Sequence, residues 1–279
     1  MFKRITIIGL GLIGGSLGLA IKEKHLAKEV IGTSRRKSTI KKALSLRVVD
    51  SATSSLEEAV KDSDLIILCT PVLNIIELTK KIAPFLKKGA ILTDAGSTKV
   101  RIVKDIEKLL PKGVYFIGSH PIAGSERSGV RYSDKDLFKG AYCVITRSVK
   151  TNKAAFNRVK RFWKGLGMRL EVMAPEKHDE IISRISHLPH AISAALVNSC
   201  SGARLYLAAG GFKDTTRIAS GSPELWNDIF ITNKGNLVKD IAKFKRELSK
   251  LESALKKADE RKLLKLLKKA KSMRDSIES

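Results

Sequence analysis

The stretch "GLGLIGGSLGLAIKEK" constrains the fold more than any other. Gly9, Gly11 and Gly14 form G-x-G-x-x-G between a short apolar, β-rich run, "RITIIG", and a helical pattern. In such a motif the first glycine permits a tight strand-to-helix turn. The second leaves room for a phosphate against the backbone, and the third lets helix and strand pack closely. Phosphates then rest on free N–H groups at the helix N-terminus. The start of the chain, "MFKRITIIGLGLIGGSLGLAI", mimics a secretory signal with its basic start and apolar middle. No A-x-A-like site closes it, so the expectation is a retained segment that binds a dinucleotide.

Further along, apolar runs alternate with amphipathic helical patterns. "EVIGTS", "DLIILCTP", "AILTDAG" and "VYFIGSHP" read as strands. "SLEEAVKDS", with Ser54 or Ser55 as N-cap, "NIIELTKKIAPFL" and "TKVRIVKDIEKLL" read as helices. Near-continuous apolar strands between helices point to a parallel sheet covered on both faces. "AYCVITRS" and "RLEVM" add strands around the helix "KAAFNRVKRFWKGLG". After Pro175 strand signals stop, and helical periodicity runs to the end. The fold class expected is an α/β dinucleotide-binding domain, residues 1–173, followed by an all-helical domain, residues 174–279. The Lys-rich end has leucines at helical spacing, which reads as a solvated helix packed on one face.

The second strand selects the dinucleotide. NAD sites usually carry an acid about 20 residues past the glycines, bonded to the ribose 2′-hydroxyl. Here the region reads "IGTSRRKST" and contains no acid. Ser34, Arg35 and Arg36 offer a hydroxyl and two guanidiniums suited to a 2′-phosphate, so NADP is expected over NAD.

The formal net charge of +25 raises the question of a nucleic-acid partner. The lysines are spread along the chain, aromatics make up only 5%, and no nucleic-acid motif is present, so a solvated basic surface is the expectation. That field would also steer a small anionic substrate. Cys69, Cys143 and Cys200 are far apart and each sits in an apolar context, as buried thiols in a reducing, cytoplasmic compartment would. No metal site and no membrane span are expected.

The remaining motifs carry chemistry. "TDAGSTK" places Ser97, and "GSHPIAGSERSG" places His120 and Glu126, both just past the ends of strands. Ligands of open α/β sheets bind there. "SHLPHAISAAL" carries His187 and His190, and "GGFKDTTRIASGSPELWNDIF" carries Arg217 and Trp226. Together with the glycine loop, and in this order, these motifs resemble the prephenate/arogenate dehydrogenases of tyrosine biosynthesis over nearly the whole chain.

The resemblance implies a Rossmann-like domain, a helical domain that makes a homodimer, and oxidative decarboxylation of a cyclohexadienol. In that reaction the C4 hydrogen leaves as hydride to the nicotinamide, the ring carboxylate leaves as CO2, and the ring becomes aromatic. It implies His120 as acceptor of the substrate hydroxyl proton and Ser97 as its hydrogen-bonding companion. His190 and Arg217 would bind substrate. The chemistry agrees: the proton acceptor must be poised near neutral pH, as an ordinary histidine is at about 6.5, and a guanidinium clamps a carboxylate bidentately. Glu126 would favour the ammonium of arogenate, although the family carries acids here with either preference. Ser97 could also cap the helix that follows it. His187 reads as structural, His178 and His25 as surface or structural, and Trp226 as core or dimer interface.

No segment is expected for a C-terminal regulatory module or a fused chorismate mutase. Two other readings stand beside this one. A β-hydroxyacid dehydrogenase shares the two-domain plan but lacks "GSHP" and "HLPH". A non-enzymatic scaffold could bind nucleic acid through its basic helices.

Overall fold

The computed structural model describes residues 1–125, 127–202 and 204–277. Its elements in chain order begin β1 (Phe2–Ile8), α1 (Leu12–Glu23), β2 (Ala27–Thr33), α2 (Lys37–Ser45), β3 (Ser51–Thr53) and α3 (Leu56–Val60). There follow β4 (Leu65–Leu68), α4 (Val72–Ile82), β5 (Ile91–Asp94), α5 (Val100–Leu109) and β6 (Tyr115–Ile117). Strands β1 to β6 form one parallel sheet in the order β3-β2-β1-β4-β5-β6. The order reverses between β1 and β4, where a doubly wound sheet opens a crevice for ligands.

The apolar strands serve two cores at once, because successive side chains point to opposite faces. Ile5, Ile7, Leu65 and Ile67 pack with Leu17 and Ile21 of α1. Their neighbours Ile8, Ile66 and Leu68 pack with Ile75 of α4 and with Ile102 and Ile106 of α5. Each fully buried side chain of this kind contributes roughly 1.5–3 kcal/mol. Ser55 caps α3, its hydroxyl accepting from the Glu58 amide at 3.3 Å.

The chain continues through β7 (Ser119–Ile122), β8 (Tyr142–Thr146), α6 (Lys153–Gly165) and β9 (Arg169–Met173). These strands make a separate sheet, β7-β8-β9, antiparallel at β7/β8 and parallel at β8/β9. The run "VYFIGSHP" is therefore two strands in two sheets. Gly118 is the break: its carbonyl accepts from the Thr146 amide at 2.8 Å, and a Cβ there would press on the Thr146 hydroxyl. Trp163 of α6 is fully buried and donates to the Ser119 hydroxyl at 3.0 Å, which ties this sheet to the core.

Among the described residues no strand follows Met173. The helices are α7 (Pro175–Ile182), α8 (Leu188–Ser199), α9 (Gly210–Thr216), α10 (Pro223–Thr232), α11 (Lys234–Lys256) and α12 (Glu260–Asp275). The chain divides into compact units Met1–Asn233 and Lys234–Ser279, so compactness and the change from strand to helix fall at different places. The second unit is a hairpin of α11 and α12. Asp259 caps α12 by accepting from the Lys262 amide at 2.9 Å. Leu264 and Leu267 of α12 stay half exposed. Among the described residues no helix is long and apolar enough to cross a membrane.

Candidate active site

The glycine loop has the geometry its spacing requires. Gly9 follows β1 with φ +101°, a left-handed conformation costly for any residue with a Cβ. A Cβ on Gly14 would overlap the Gly9 carbonyl oxygen, so the third glycine sets how closely α1 approaches β1. Gly11 differs: a Cβ there would meet no atom within 4 Å. Gly11 is also the N-cap of α1 and offers no side-chain cap, so the first amides of the helix are left to a ligand. Open space over Gly11 above uncapped amides fits a pyrophosphate. Beyond β2, Thr33 is buried, Ser34 is half-buried, and Arg35 and Arg36 are exposed at the start of α2. The Ser34 hydroxyl accepts from the Arg36 amide at 3.3 Å.

At the carboxyl end of β5 lies a fully buried ion pair between Asp94 and Lys99. Asp94 also accepts from the amides of Gly96 (2.9 Å) and Ser119 (3.0 Å), and Lys99 Nζ donates to the Ser119 carbonyl at 2.7 Å. Burial lowers the Lys99 ammonium below its usual range despite the opposing pull of Asp94. The cluster pins the loop that carries half-buried Ser97 to the start of β7, which carries His120.

His120 joins a chain of contacts that runs out of the sheet into α7. Its Nδ1 lies 2.9 Å from Nε2 of His178, and Nδ1 of His178 lies 2.7 Å from Oδ1 of Asp179. Asp179 accepts from the amides of Lys99 (2.7 Å) and Val100 (2.9 Å), so it caps α5. The alternative reading of Ser97 as that cap is thereby corrected: Lys99 is the N-cap position and the acceptor comes from α7. Of the two readings of His178, surface or structural, the surface one fails. His178 is fully buried and in direct contact with His120.

Between α7 and α8 the helix widens into one π turn, Ser183–His187. Such turns shift the faces of a helix and are frequent at functional sites. His187 is fully buried and pairs through Nδ1 with Asn233 Nδ2 at 3.1 Å. Asn233 also donates to the Asp179 carbonyl at 2.8 Å. On α8, His190 stacks on Trp226 with ring centroids 3.6 Å apart and an interplanar angle of 13°. A side chain on Gly221 would strike the Trp226 indole nitrogen, which explains a small residue in "SGSPELW". Arg217 is exposed and opens a short turn, Arg217–Ser220, that packs against α8. Glu126 lies outside the described residues.

Burial governs the electrostatics. It pushes His120 well below the ordinary histidine value, reinforced by the charges of His178, Lys99 and His187. The ordinary value expected for this base is thus corrected downward. Burial also lowers His178 against the pull of Asp179, takes His187 to about 4, and lowers His190. Cys143 is buried, whereas Cys69 and Cys200 are only half-buried. Thr70 Oγ1, Ser183 Oγ, His187 Nε2, His190 Nδ1 and Ser193 Oγ are buried without a hydrogen-bond partner. Buried polar groups are rarely left so. Those of the π turn and α8 cluster around the two histidines of "SHLPH".

The sequence motifs singled out His120, His190 and Arg217 as candidates; His178, read as surface or structural, and Asp179, Asn233 and the Asp94–Lys99 pair, not singled out, are what the structure packs around His120 and His187. The dipeptide His178-Asp179 in "EKHDE" was the one visible signal, and nothing local says which histidine it serves.

Comparison with known proteins agrees over the full length. Residues 17–172 match the family model described as the prephenate dehydrogenase nucleotide-binding domain, and residues 174–269 match its dimerization domain. Prephenate dehydrogenase of Bacillus subtilis is 37% identical over 99% of this chain and 76% of its own length. Among solved structures, prephenate dehydrogenase of Aquifex aeolicus in complex with hydroxyphenyl propionate and NAD+ has a TM-score of 0.94 and 36% identity, covering 99% of both chains. Arogenate dehydrogenase of Synechocystis has a TM-score of 0.84 and 32% identity, covering 98% of this chain and 99% of its own. With both family models matched in order across nearly all of its length, the chain belongs to the prephenate dehydrogenase family.

Proposed function

We propose that the protein catalyses oxidative decarboxylation of prephenate or arogenate, with NADP preferred over NAD. The observation that carries this reading is His120. It sits at the carboxyl end of the sheet, with Nδ1 occupied by His178 and its ring held neutral by burial. A bound dinucleotide would supply the oxidant, taking the ring hydrogen as hydride. The residues of this chain do the rest. Gly9, Gly11 and Gly14 shape the pyrophosphate seat. Nε2 of His120 accepts the proton of the substrate hydroxyl, and Ser97 hydrogen-bonds the same oxygen. Arg217 and His190 hold the substrate carboxylates; Glu126, outside the described residues, is the acid whose charge would favour the ammonium of arogenate. Carbon dioxide leaves as the ring becomes aromatic, a driving force that needs no further group.

The NADP preference rests on Ser34, Arg35 and Arg36 after β2. Each charge-assisted bond to a 2′-phosphate is worth about 1.5–3 kcal/mol. The Aquifex relative was solved with NAD+, so for this chain the comparison of the two dinucleotides decides the preference. The helical region 174–279 is proposed as the substrate and homodimer domain of a cytoplasmic enzyme. Exposed Ile185, Tyr206, Leu207 and Ile231 support an apolar contact there. The deciding experiment is steady-state turnover of both dienols with both dinucleotides. Turnover of neither dienol with either dinucleotide would overturn the assignment. Equal efficiency with NAD and NADP would overturn the cofactor preference alone.

A further inference from the structure

We propose that Asp179 and His178 are positioning residues that hold a proton on Nδ1 of His120, leaving Nε2 as its one proton-accepting atom. The proposal rests on the reading of His120 as the base and says how the base is set.

The constraint starts at the N-terminus of α5. The amides of Lys99 and Val100 can only donate, and they reach Oδ1 and Oδ2 of Asp179. A carboxylate at a helix N-terminus is also favoured by the helix dipole. The third bond of Asp179, at 2.7 Å, must therefore take a proton from Nδ1 of His178. A neutral imidazole has one donor and one acceptor, so Nε2 of His178 is a lone pair. That lone pair is 2.9 Å from Nδ1 of His120, which must carry the proton between them. Nε2 of His120 is then bare.

The surroundings keep both rings neutral. His120 is faced by His178 from α7, Lys99 from the loop before α5 and His187 from the π turn, with Asp94 behind Lys99 and the Cys143 thiol of β8 against the His120 backbone. Burial disfavours a second proton on it first, and the Lys99 ammonium, or a proton on His178 or His187, would disfavour it further. Once Nε2 takes a proton during the reaction, the new cation is already bonded through His178 to the Asp179 carboxylate. The relay stabilises that charge without moving a proton to Asp179.

The same residue sets a second ring with the opposite polarity. The backbone carbonyl of Asp179 accepts from Asn233 Nδ2, which fixes the amide and turns its N–H group to Nδ1 of His187. His187 Nδ1 is thus an acceptor, and its proton lies on the buried Nε2. His187 is a donor and cannot replace His120 as base.

Ring ¹⁵N spectra of the unmodified protein at neutral pH test this directly. His120 should be protonated on Nδ1 and bare on Nε2, and a proton on Nε2 overturns the proposal. Three variants extend the test. His178→Leu removes the acceptor, and kcat should fall about 10–10²-fold with KM nearly unchanged, less than loss of the base itself. His178→Gln can accept from His120 and donate to Asp179, so kcat should return to within a few-fold. Equal losses in Leu and Gln, or an unchanged kcat and acid limb in Leu, refute the relay. Asp179→Asn presents a donor where a carboxylate stood and should shift the His120 proton toward Nε2. If His178→Leu does not fold, that spectrum decides. The ring spectra require no turnover. A protein with the expected tautomers but no activity on either dienol refutes the functional reading alone.

Discussion

The buried histidines predict an acid-sensitive fold, and His187 allows the size of the effect to be worked out. Its folded pKa is about 4 against an ordinary 6.5, because burial penalises the cation. Above 6.5 the ring is neutral in both folded and unfolded chains and costs nothing. Between 6.5 and 4 the unfolded chain binds a proton that the folded chain refuses. Stability is therefore full above the unfolded value and lost as pH falls toward the folded value. For this single group linkage gives a loss of about 2 kcal/mol at about pH 5 and about 3 kcal/mol at about pH 4. His187→Gln removes the titration and keeps an acceptor for Asn233. Urea unfolding of both proteins at about pH 7.5 and about pH 5, at one protein concentration, isolates the effect. His120, His178 and His190 titrate in both proteins and cancel in the difference. The decline in unfolding free energy should be about 2 kcal/mol smaller in the variant. Declines that agree to within about 0.5 kcal/mol would mean that the folded ring takes up a proton freely, and the argument from burial would fail.

Four further outcomes follow from the site. His120→Asn should lower kcat about 10²–10⁴-fold with little change in KM. In the unmodified enzyme kcat should hold below pH 6.5, since the base stays unprotonated there, and should fall only toward the depressed pKa of His120; an acid limb at 6.5 in a kcat–pH profile contradicts this. Gly11→Ala should leave thermal stability unchanged while abolishing dinucleotide binding, whereas Gly14→Ala should lower both, stability by about 1–3 kcal/mol; calorimetry and fluorescence titration separate the two. Lys99→Met strands Asp94 in a fully buried site and should cost about 3–5 kcal/mol of stability, and a loss in chemical denaturation below about 1 kcal/mol would show that the pair is not buried in solution.

Most of the sheet was legible because its strands are buried on both faces. A run such as Leu65–Leu68, buried throughout, can hardly be anything but a central strand. The edge was harder. In α2 only Ala43 is buried, and β3 has no buried residue, so neither carries a hydrophobic period to read. The split of "VYFIGSHP" was hidden for another reason. Gly118 breaks the run because Thr146 approaches its backbone, a contact made 28 residues away. The π turn Ser183–His187 was likewise invisible, since an extra residue in one helical turn leaves composition and local pattern nearly unchanged.

The site divides along the same line. His120, His190 and Arg217 sit in motifs whose neighbours mark them, glycines and prolines that the backbone needs near a ligand. His178 and Asp179 sit in an ordinary amphipathic helix, and their roles come from partners far along the chain. His178 meets His120 across 58 residues, and Asp179 meets the start of α5 across 80. A carboxylate beside a histidine on a helix is unremarkable until a second helix aims its free amides at that carboxylate. Only then is Asp179 restricted to accepting, His178 to donating from Nδ1, and His120 to a bare Nε2. The proton register of the site is therefore a property of the packing of α5 on α7. A substitution that tilts either helix should disturb the tautomer of His120 even if every histidine is kept.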